Sequence, residues 1–265
     1  VSNYEHIRVD RLGDGLVKVS FARPDTNNAS TPEMLGEVRD AFNMLSADSN
    51  VRAIMLAADG KFFSVGADFA FLEKLLDMSA ADIKSQVYAF FQGAAKAIYR
   101  CPKPTVAVVQ GLAVTVGCEL ALACDFRVAS DKAGFVESWI KLGIMPPLGG
   151  VFLLPRIIGL GRAADMCLRG SLVKGEEALR IGLVTEMVPA EELEERSLAF
   201  ATELAASPPA AYAVVKESLH RALETSIDAE WSANLPNQAL LLSSEDFREG
   251  LDAVKARRAP QFKGR

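Results

Sequence analysis

Residues 105–125, TVAVVQGLAVTVGCELALACD, set the tightest limit on how this chain can fold. An extended apolar run, Thr105–Val109, meets a turn at Gly111. A short helix then starts near Thr115 and carries one acid, Glu119, inside an otherwise apolar segment. A carboxylate there is costly to bury unless something satisfies or uses it. Near the N-terminal end of a helix, unpaired backbone N–H groups and the positive end of the dipole favour negative charge. They serve equally well for a substrate oxygen. One stretch therefore offers a candidate acid/base and a candidate oxyanion site.

The flanking sequence repeats the order strand, helix, strand. Residues 5–9 and 16–21 alternate as strands around the turn Gly13-Asp14-Gly15. After a polar loop from Arg23 to Asn28, Thr31 is placed to cap a helix, with Pro32 at its first position and Glu33 in its first turn. Leu35, Val38, Phe42 and Leu45 give that helix its core-facing stripe. Residues 51–57 read as a buried strand. In Gly60–Asp68, small residues between apolar stretches let backbone amides approach a ligand closely. Residues 81–99 form a long helix, stopped by Cys101-Pro102-Lys103-Pro104. Strands follow at 125–129 and 133–135, helices at 148–158, 162–168 and 175–181, and a strand at 183–188. Beyond Glu191 the pattern is helical only, over about 191–206, 209–224, 229–242 and 245–256. The expected fold class is α/β with crossover connections. Ser207-Pro208-Pro209 marks a break between a core, 1–206, and a C-terminal helical region, 207–265.

Composition narrows the function. A chain of 265 residues, half of them hydrophobic, supports one large domain or a domain with an appendage. A net charge of −5 argues against a general nucleic-acid binder, while a local basic patch remains open for an anionic ligand. Cys101, Cys118, Cys124 and Cys167 show no CxxC pair and read as buried thiols in a reducing, cytoplasmic setting. Two histidines, His6 and His220, near opposite ends, make a His-based triad or metal site unexpected. No basic-then-apolar leader pattern opens the sequence. No apolar run reaches about 18 residues, so no membrane span is expected.

Four blocks together resemble the crotonase superfamily, the enoyl-CoA hydratase/isomerase family. They are Arg23-Pro24 with Asn28-Ala29; Phe63-Ser64-Val65-Gly66-Ala67-Asp68; Gly111-Leu112-Ala113 through Gly117-Cys118-Glu119-Leu120 to Cys124-Asp125; and Leu142-Gly143-Ile144 with Pro146 and Gly149-Gly150. The ending from Ser244 to Arg265 is similar too. The resemblance covers nearly the whole chain. It implies a spiral of ββα units followed by a helical trimerisation region, with trimers often paired into hexamers. It implies an acyl-CoA thioester as substrate, with coenzyme A present only as part of that substrate, no cofactor and no metal. It also implies an enolate held by the backbone N–H groups of Ala67 and Val116, with Glu119 as acid/base. By the same resemblance Ala22, Arg23, Lys61, Asp68 and Phe69 line the CoA ester, and Lys263 is placed to meet a CoA phosphate of a neighbouring subunit.

Three departures stand out. Hydratases of this family use a second glutamate, four residues before the glycine of the Leu142-Gly143 block. That position holds Trp139, while Glu137 lies two residues earlier, where a shift of two changes the side-chain direction. The aspartate that some isomerases carry after Pro146 is replaced by Pro147, and the usual three glycines before Glu119 read Thr115-Val116-Gly117. A single glutamate suffices to move a proton between two carbons. Trp139 and Pro147 suit a planar acyl group. The alternatives are a CoA-ester binding protein with a degenerate site and another reaction of the superfamily, such as thioester hydrolysis.

Overall fold

The computed structural model describes residues 4–265. β1 (Ile7–Gly13) and β2 (Leu16–Phe21) form an antiparallel hairpin across Asp14-Gly15. Both turn residues have positive φ, the backbone that matches the twist of the flanking strands. α1 (Pro32–Ala47) begins as its sequence predicts: the Thr31 side chain accepts from Met34 N–H, and Pro32 occupies the first turn. Its stripe of Leu35, Val38, Phe42 and Leu45 is fully buried, each side chain contributing roughly 1.5–3 kcal/mol of burial.

β3 (Ala53–Ala58) leads through a short helix α2 (Phe69–Lys74) and a single turn α3 (Ala80–Asp82). A π-helical stretch, Ile83–Val87, joins α3 to α4 (Tyr88–Tyr99). The helix expected over 81–99 is thus one helical run with a widened turn inside it. β4 (Thr105–Val109) and β5 (Leu112–Val114) precede α5 (Val116–Ala123). β6 (Phe126–Ser130) and β7 (Gly134–Val136) precede α6 (Gly150–Ile158) and α7 (Leu160–Arg169). β8 (Leu172–Lys174), α8 (Glu176–Arg180) and β9 (Glu186–Val188) complete the strands. Four helices close the chain: α9 (Leu193–Ala205), α10 (Pro209–Ala222), α11 (Ile227–Leu242) and α12 (Glu245–Ala256). No single helix among the described residues is long and apolar enough to cross a membrane.

The strands lie in two sheets. The larger has the order β1-β2-β3-β4-β6-β9 and is parallel after the first hairpin; the smaller is β5-β7-β8. Successive turns place one strand in each sheet, so the chain climbs as a spiral. Two isolated bridges carry the small layer further: Ser64 pairs with Ala113, and Ser30 with Ala67. A parallel sheet must be covered on both faces. α1, α4 and α5 bury one face of the large sheet in the main core. On the other face Leu16, Ala53, Met55, Ala57, Val106, Val108 and Val128 meet Leu193, Ala201 and Ala205 of α9.

Two charged side chains pin the connections. Arg127 is fully buried, and its guanidinium donates to the carbonyls of Leu183 (2.7 Å) and Cys124 (2.9 Å). Burial pushes its pKa down from the ordinary arginine value. Asp125, just after α5, accepts from Thr105 N–H (2.9 Å), from Tyr212 O–H (3.1 Å) and from Lys216 Nζ (2.8 Å). α10 is thereby latched to the end of α5.

Candidate active site

The small layer leaves two backbone donors where its ladder runs out. Ser64 N–H donates to Leu112 O, and Val114 N–H to Ser64 O, so this segment runs beside β5. Two residues on, Gly66 O accepts from Ser30 N–H and Asp68 N–H donates to Ser30 O. Ala67 lies between these two bonded groups, on the loop that packs Gly66 against the end of β5 and the start of α5. There β5 has ended and α5 has begun, and no carbonyl among the described residues accepts from Ala67 N–H. Val116 is the first residue of α5, so its N–H has no intrahelical partner either.

The loop carrying Ala67 is held from behind by buried polar groups. Ser64 Oγ donates to Asn28 O (2.7 Å) and accepts from Gly66 N–H (3.1 Å). Asn28 donates to the carbonyls of Asp59 (2.8 Å) and Phe62 (3.0 Å) and accepts from Arg23 N–H (3.0 Å). Gly66 is at φ +97°, and a Cβ there would lie 2.2 Å from Thr115 Oγ1, so only glycine fits. Thr115 itself sits at φ 44°, ψ −105°, with its N–H bonded to Val136 O (2.8 Å). A β-branched residue in that region stores roughly 1–3 kcal/mol of strain. It does so at the residue that aims Val116 N–H.

Glu119 lies one turn after Val116, on the same face of α5, and is fully buried. Its Oε1 accepts from Leu148 N–H (2.9 Å) and Gly150 N–H (2.7 Å). The loop supplying these donors is tied to α4 by Gln92 Nε2, which donates to Pro147 O (3.0 Å). Oε2 has no partner among the described residues. Burial pushes Glu119 up to about 7, against the opposing pull of the Gly150 and Leu148 N–H groups and the nearby Trp139 indole. Trp139 is buried, and its Nε1–H faces Glu119 without a completed hydrogen bond.

Glu137, which the spacing sets two residues away from the family's second-glutamate position, is also fully buried, with neither carboxylate oxygen partnered among the described residues. Burial first, and the charge of Glu119 second, hold it well above the usual carboxylate range. The chain turns at Glu137 (φ −108°, ψ 72°) into a 3-10 turn, Ser138–Leu142. That irregularity defeats a register argument made from either a helix or a strand.

The remaining candidates divide. Arg23 donates to Ala29 O and lies 3.9 Å from Asp68, which caps α2 by accepting from Phe71 N–H (3.2 Å). Ala22 adjoins them, bonded through its N–H to His6 O. Lys61 is exposed, with its ammonium over the Phe62 ring, and Phe69 is 73% exposed. Lys263 stands apart: its backbone N–H donates to Asp246 (2.7 Å) at the start of α12. Within one chain it is not joined to the other candidates. No cluster of three or more metal-ligating side chains occurs among the described residues.

Such a site can hold a developing oxyanion between two backbone donors and exchange a proton beside it. Comparison with known proteins gives the same direction. The family model described as enoyl-CoA hydratase/isomerase matches residues 11–265. A Rhodobacter capsulatus protein named "Probable enoyl-CoA hydratase" is 35% identical over 99% of this chain and 100% of its own. The 1,2-epoxyphenylacetyl-CoA isomerase of Escherichia coli K12 is 30% identical over 95% of this chain and 96% of its own. The crystal structure of an enoyl-CoA hydratase from Bacillus anthracis superposes with a TM-score of 0.91 at 29% identity, covering 98% of this chain and 100% of that one.

Proposed function

The chain belongs to the enoyl-CoA hydratase/isomerase family and is an acyl-CoA enzyme of that type, and from this premise we propose that it shifts the double bond of an enoyl thioester through an enolate. The thioester oxygen lies between Ala67 N–H and Val116 N–H. Glu119 Oε2 removes a proton from one carbon and returns it to another. The single observation that carries this reading is Glu119 itself: buried, oriented by two N–H groups on Oε1, unpartnered at Oε2, and held near 7. A carboxyl with that pKa is available as base and, once protonated, as acid at neutral pH. The oxyanion donors act where charge develops, and each contributes on the order of 3 kcal/mol to lowering the barrier.

The position four residues before Gly143 is Trp139 rather than a carboxylate, which favours carbon-to-carbon proton transfer over the addition of water. Hydration is the second reading, favoured by the buried carboxyl of Glu137 beside Glu119. Ala22, Arg23, Lys61, Asp68 and Phe69 form the entry for the CoA ester in this reading. Lys263 reaches a CoA phosphate from a neighbouring subunit. The core 1–206 carries the chemistry, and 207–265 builds a trimer or a pair of trimers. Exposed Trp231, Leu235, Leu240 and Val254 support that assembly role.

The test is turnover of a 3-enoyl and a 2-enoyl thioester, followed by the absorbance of the conjugated 2-enoyl product. The expected result is conversion of the 3-enoyl ester, abolished in Glu119→Gln with binding of the ester retained. Unchanged turnover in that variant sinks the role of Glu119. Faster loss of 2-enoyl absorbance, with water added, assigns hydration instead.

A further inference from the structure

The two donors proposed for the oxyanion stand on chain segments that meet at one point. Ser64 and Ala113 form an isolated parallel bridge. Ala67 is the third residue after Ser64, and Val116 the third after Ala113. Both segments run the same way, so one offset, the register of that bridge, sets how Ala67 and Val116 stand to each other. The bridge rests on two backbone bonds, Ser64 N–H to Leu112 O (3.1 Å) and Val114 N–H to Ser64 O (2.9 Å). The groups that would form the next rungs are engaged elsewhere: Gly66 N–H donates to Ser64 Oγ (3.1 Å), and Gln110 O accepts from Ser130 Oγ (2.8 Å). A ladder this short specifies its register weakly. A slip of two residues, which keeps each side chain on its own face, moves one segment past the other by roughly 6–7 Å.

Gln110 supplies what the ladder lacks. Its Nε2 donates to three alternate carbonyls of the facing segment: Ala58 O (3.0 Å), Gly60 O (3.1 Å) and Phe62 O (3.2 Å). Three acceptors also decide which end of the amide faces them. A Cβ on the next residue, Gly111, would stand 2.2 Å from Lys61 O, so the Lys61 carbonyl is seated directly against the glycine. Asn28 grips the same stretch at Asp59 O (2.8 Å) and Phe62 O (3.0 Å), but it does so from the loop before α1. Gln110 belongs to the segment that leads to Val116. Its three bonds therefore fix one donor segment against the other, which those of Asn28 do not.

We propose that Gln110 is a positioning residue: with Gly111 it pins the register of the Ser64–Ala113 bridge, and it thereby holds Ala67 N–H and Val116 N–H at the spacing that one thioester oxygen requires. It acts through the backbone of residues 58–64 and takes no part in proton transfer. Misplacing a reacting group by about 1 Å costs up to about 100-fold in rate, so a loosened register should appear in kcat more than in KM. This kinetic consequence rests on the reading of Ala67 and Val116 as oxyanion donors; the pinned register does not.

Two measurements on the full chain test this in Gln110→Met, which keeps the length of the side chain and removes its donor. The first is amide hydrogen exchange. Ser64 and Val114 N–H should exchange roughly tenfold faster than in wild type, while the amides of the β1–β2 hairpin keep their rates. Unchanged exchange at both positions overturns the proposal. Equal acceleration throughout the chain also overturns it, because Gln110 then serves only global stability. The second is the carbonyl stretch of bound butyryl-CoA, isotope-labelled at the thioester carbonyl and without a double bond to shift. Donors on that oxygen lower its frequency below that of the free ester. Gln110→Met should lose about half of the lowering, as for one donor displaced, and kcat for an enoyl thioester should fall roughly tenfold with KM within about twofold. The full wild-type lowering in the variant, or a raised KM at unchanged kcat, overturns the positioning role. Gln110→Asn, whose amide is one carbon short, should lie between the two, and it replaces Gln110→Met in both measurements if that variant does not fold. If wild type itself shows no lowering, the reading of the two donors fails, while the exchange rates still decide whether Gln110 pins the bridge.

Discussion

Replacing Gly150 by alanine probes Glu119 with one methyl group. A Cβ at Gly150 would lie 2.9 Å from Glu119 Oε1 and 3.2 Å from both Glu119 Cγ and Pro146 Cβ. Gly150 is not in the left-handed region, and alanine suits the first turn of α6, so the backbone tolerates the change. Room for the methyl comes from the carboxylate, which must move away from the Gly150 N–H that now holds it at 2.7 Å. A hydrogen bond to a charged group contributes about 1.5–3 kcal/mol. At 1.36 kcal/mol per unit, its loss raises the Glu119 pKa by roughly one to two units, from about 7 to about 8–9. The base form at pH 7 then falls from about half of the molecules to between about a tenth and a hundredth. The rate at pH 7 should drop about 5- to 50-fold, the acid limb should move up by the same one to two units, and most activity should return near pH 9–10. Initial rates of enoyl-thioester turnover across that range decide it. A uniform loss at every pH, with the midpoint still near 7, refutes the reasoning, because the methyl would then be blocking substrate instead of weakening a hydrogen bond.

Glu119 should also shape stability. Its folded pKa, about 7, lies above its ordinary value of 4.5, so between these pH values the folded state binds more protons and wild type loses stability as pH rises. Glu119→Gln removes that dependence, and its urea-unfolding free energy relative to wild type should improve by about 3 kcal/mol from pH 4 to pH 8. Ser64→Ala strips the Asn28 carbonyl and the Gly66 N–H of their shared hydroxyl. The loss should be about 1–3 kcal/mol by thermal unfolding, with a roughly tenfold fall in kcat and little change in KM as Ala67 N–H loosens. Lys216→Met leaves the part-buried Asp125 without its cation but with its Thr105 and Tyr212 donors, and denaturant unfolding should show a loss of about 1–3 kcal/mol.

Much of this molecule is legible in its residues because the signals are local. The cap at Thr31, the proline stop after Tyr99 and the apolar run of β4 each declare themselves within a few positions. β5 and β8 do not: each is three residues long, too short for alternation to register, and each exists because a neighbouring strand offers a ladder. The strand expected over 183–188 pairs only from Glu186, because Leu183 O is taken by Arg127 and Thr185 N–H by Arg127 O. The site divides in the same way. Glu119 is conspicuous as a lone acid in an apolar helix. Glu137 is not, since its direction depends on a 3-10 turn that no periodicity announces.

The cover that α9 gives to the second sheet face has a consequence for how the protein is made. Every element that holds the proposed oxyanion donors and both buried acids has been synthesised by Gly150. A chain of that length would still show Leu16, Met55, Val106, Val108 and Val128 to water, because their partners, Leu193, Ala201 and Ala205, come some forty to fifty-five residues later. Domains made from the N-terminus fold as units, and exposed apolar strands invite aggregation in the interval. The parts proposed for catalysis therefore leave the ribosome well before the sheet that fixes them can close. Productive folding waits for the emergence of α9.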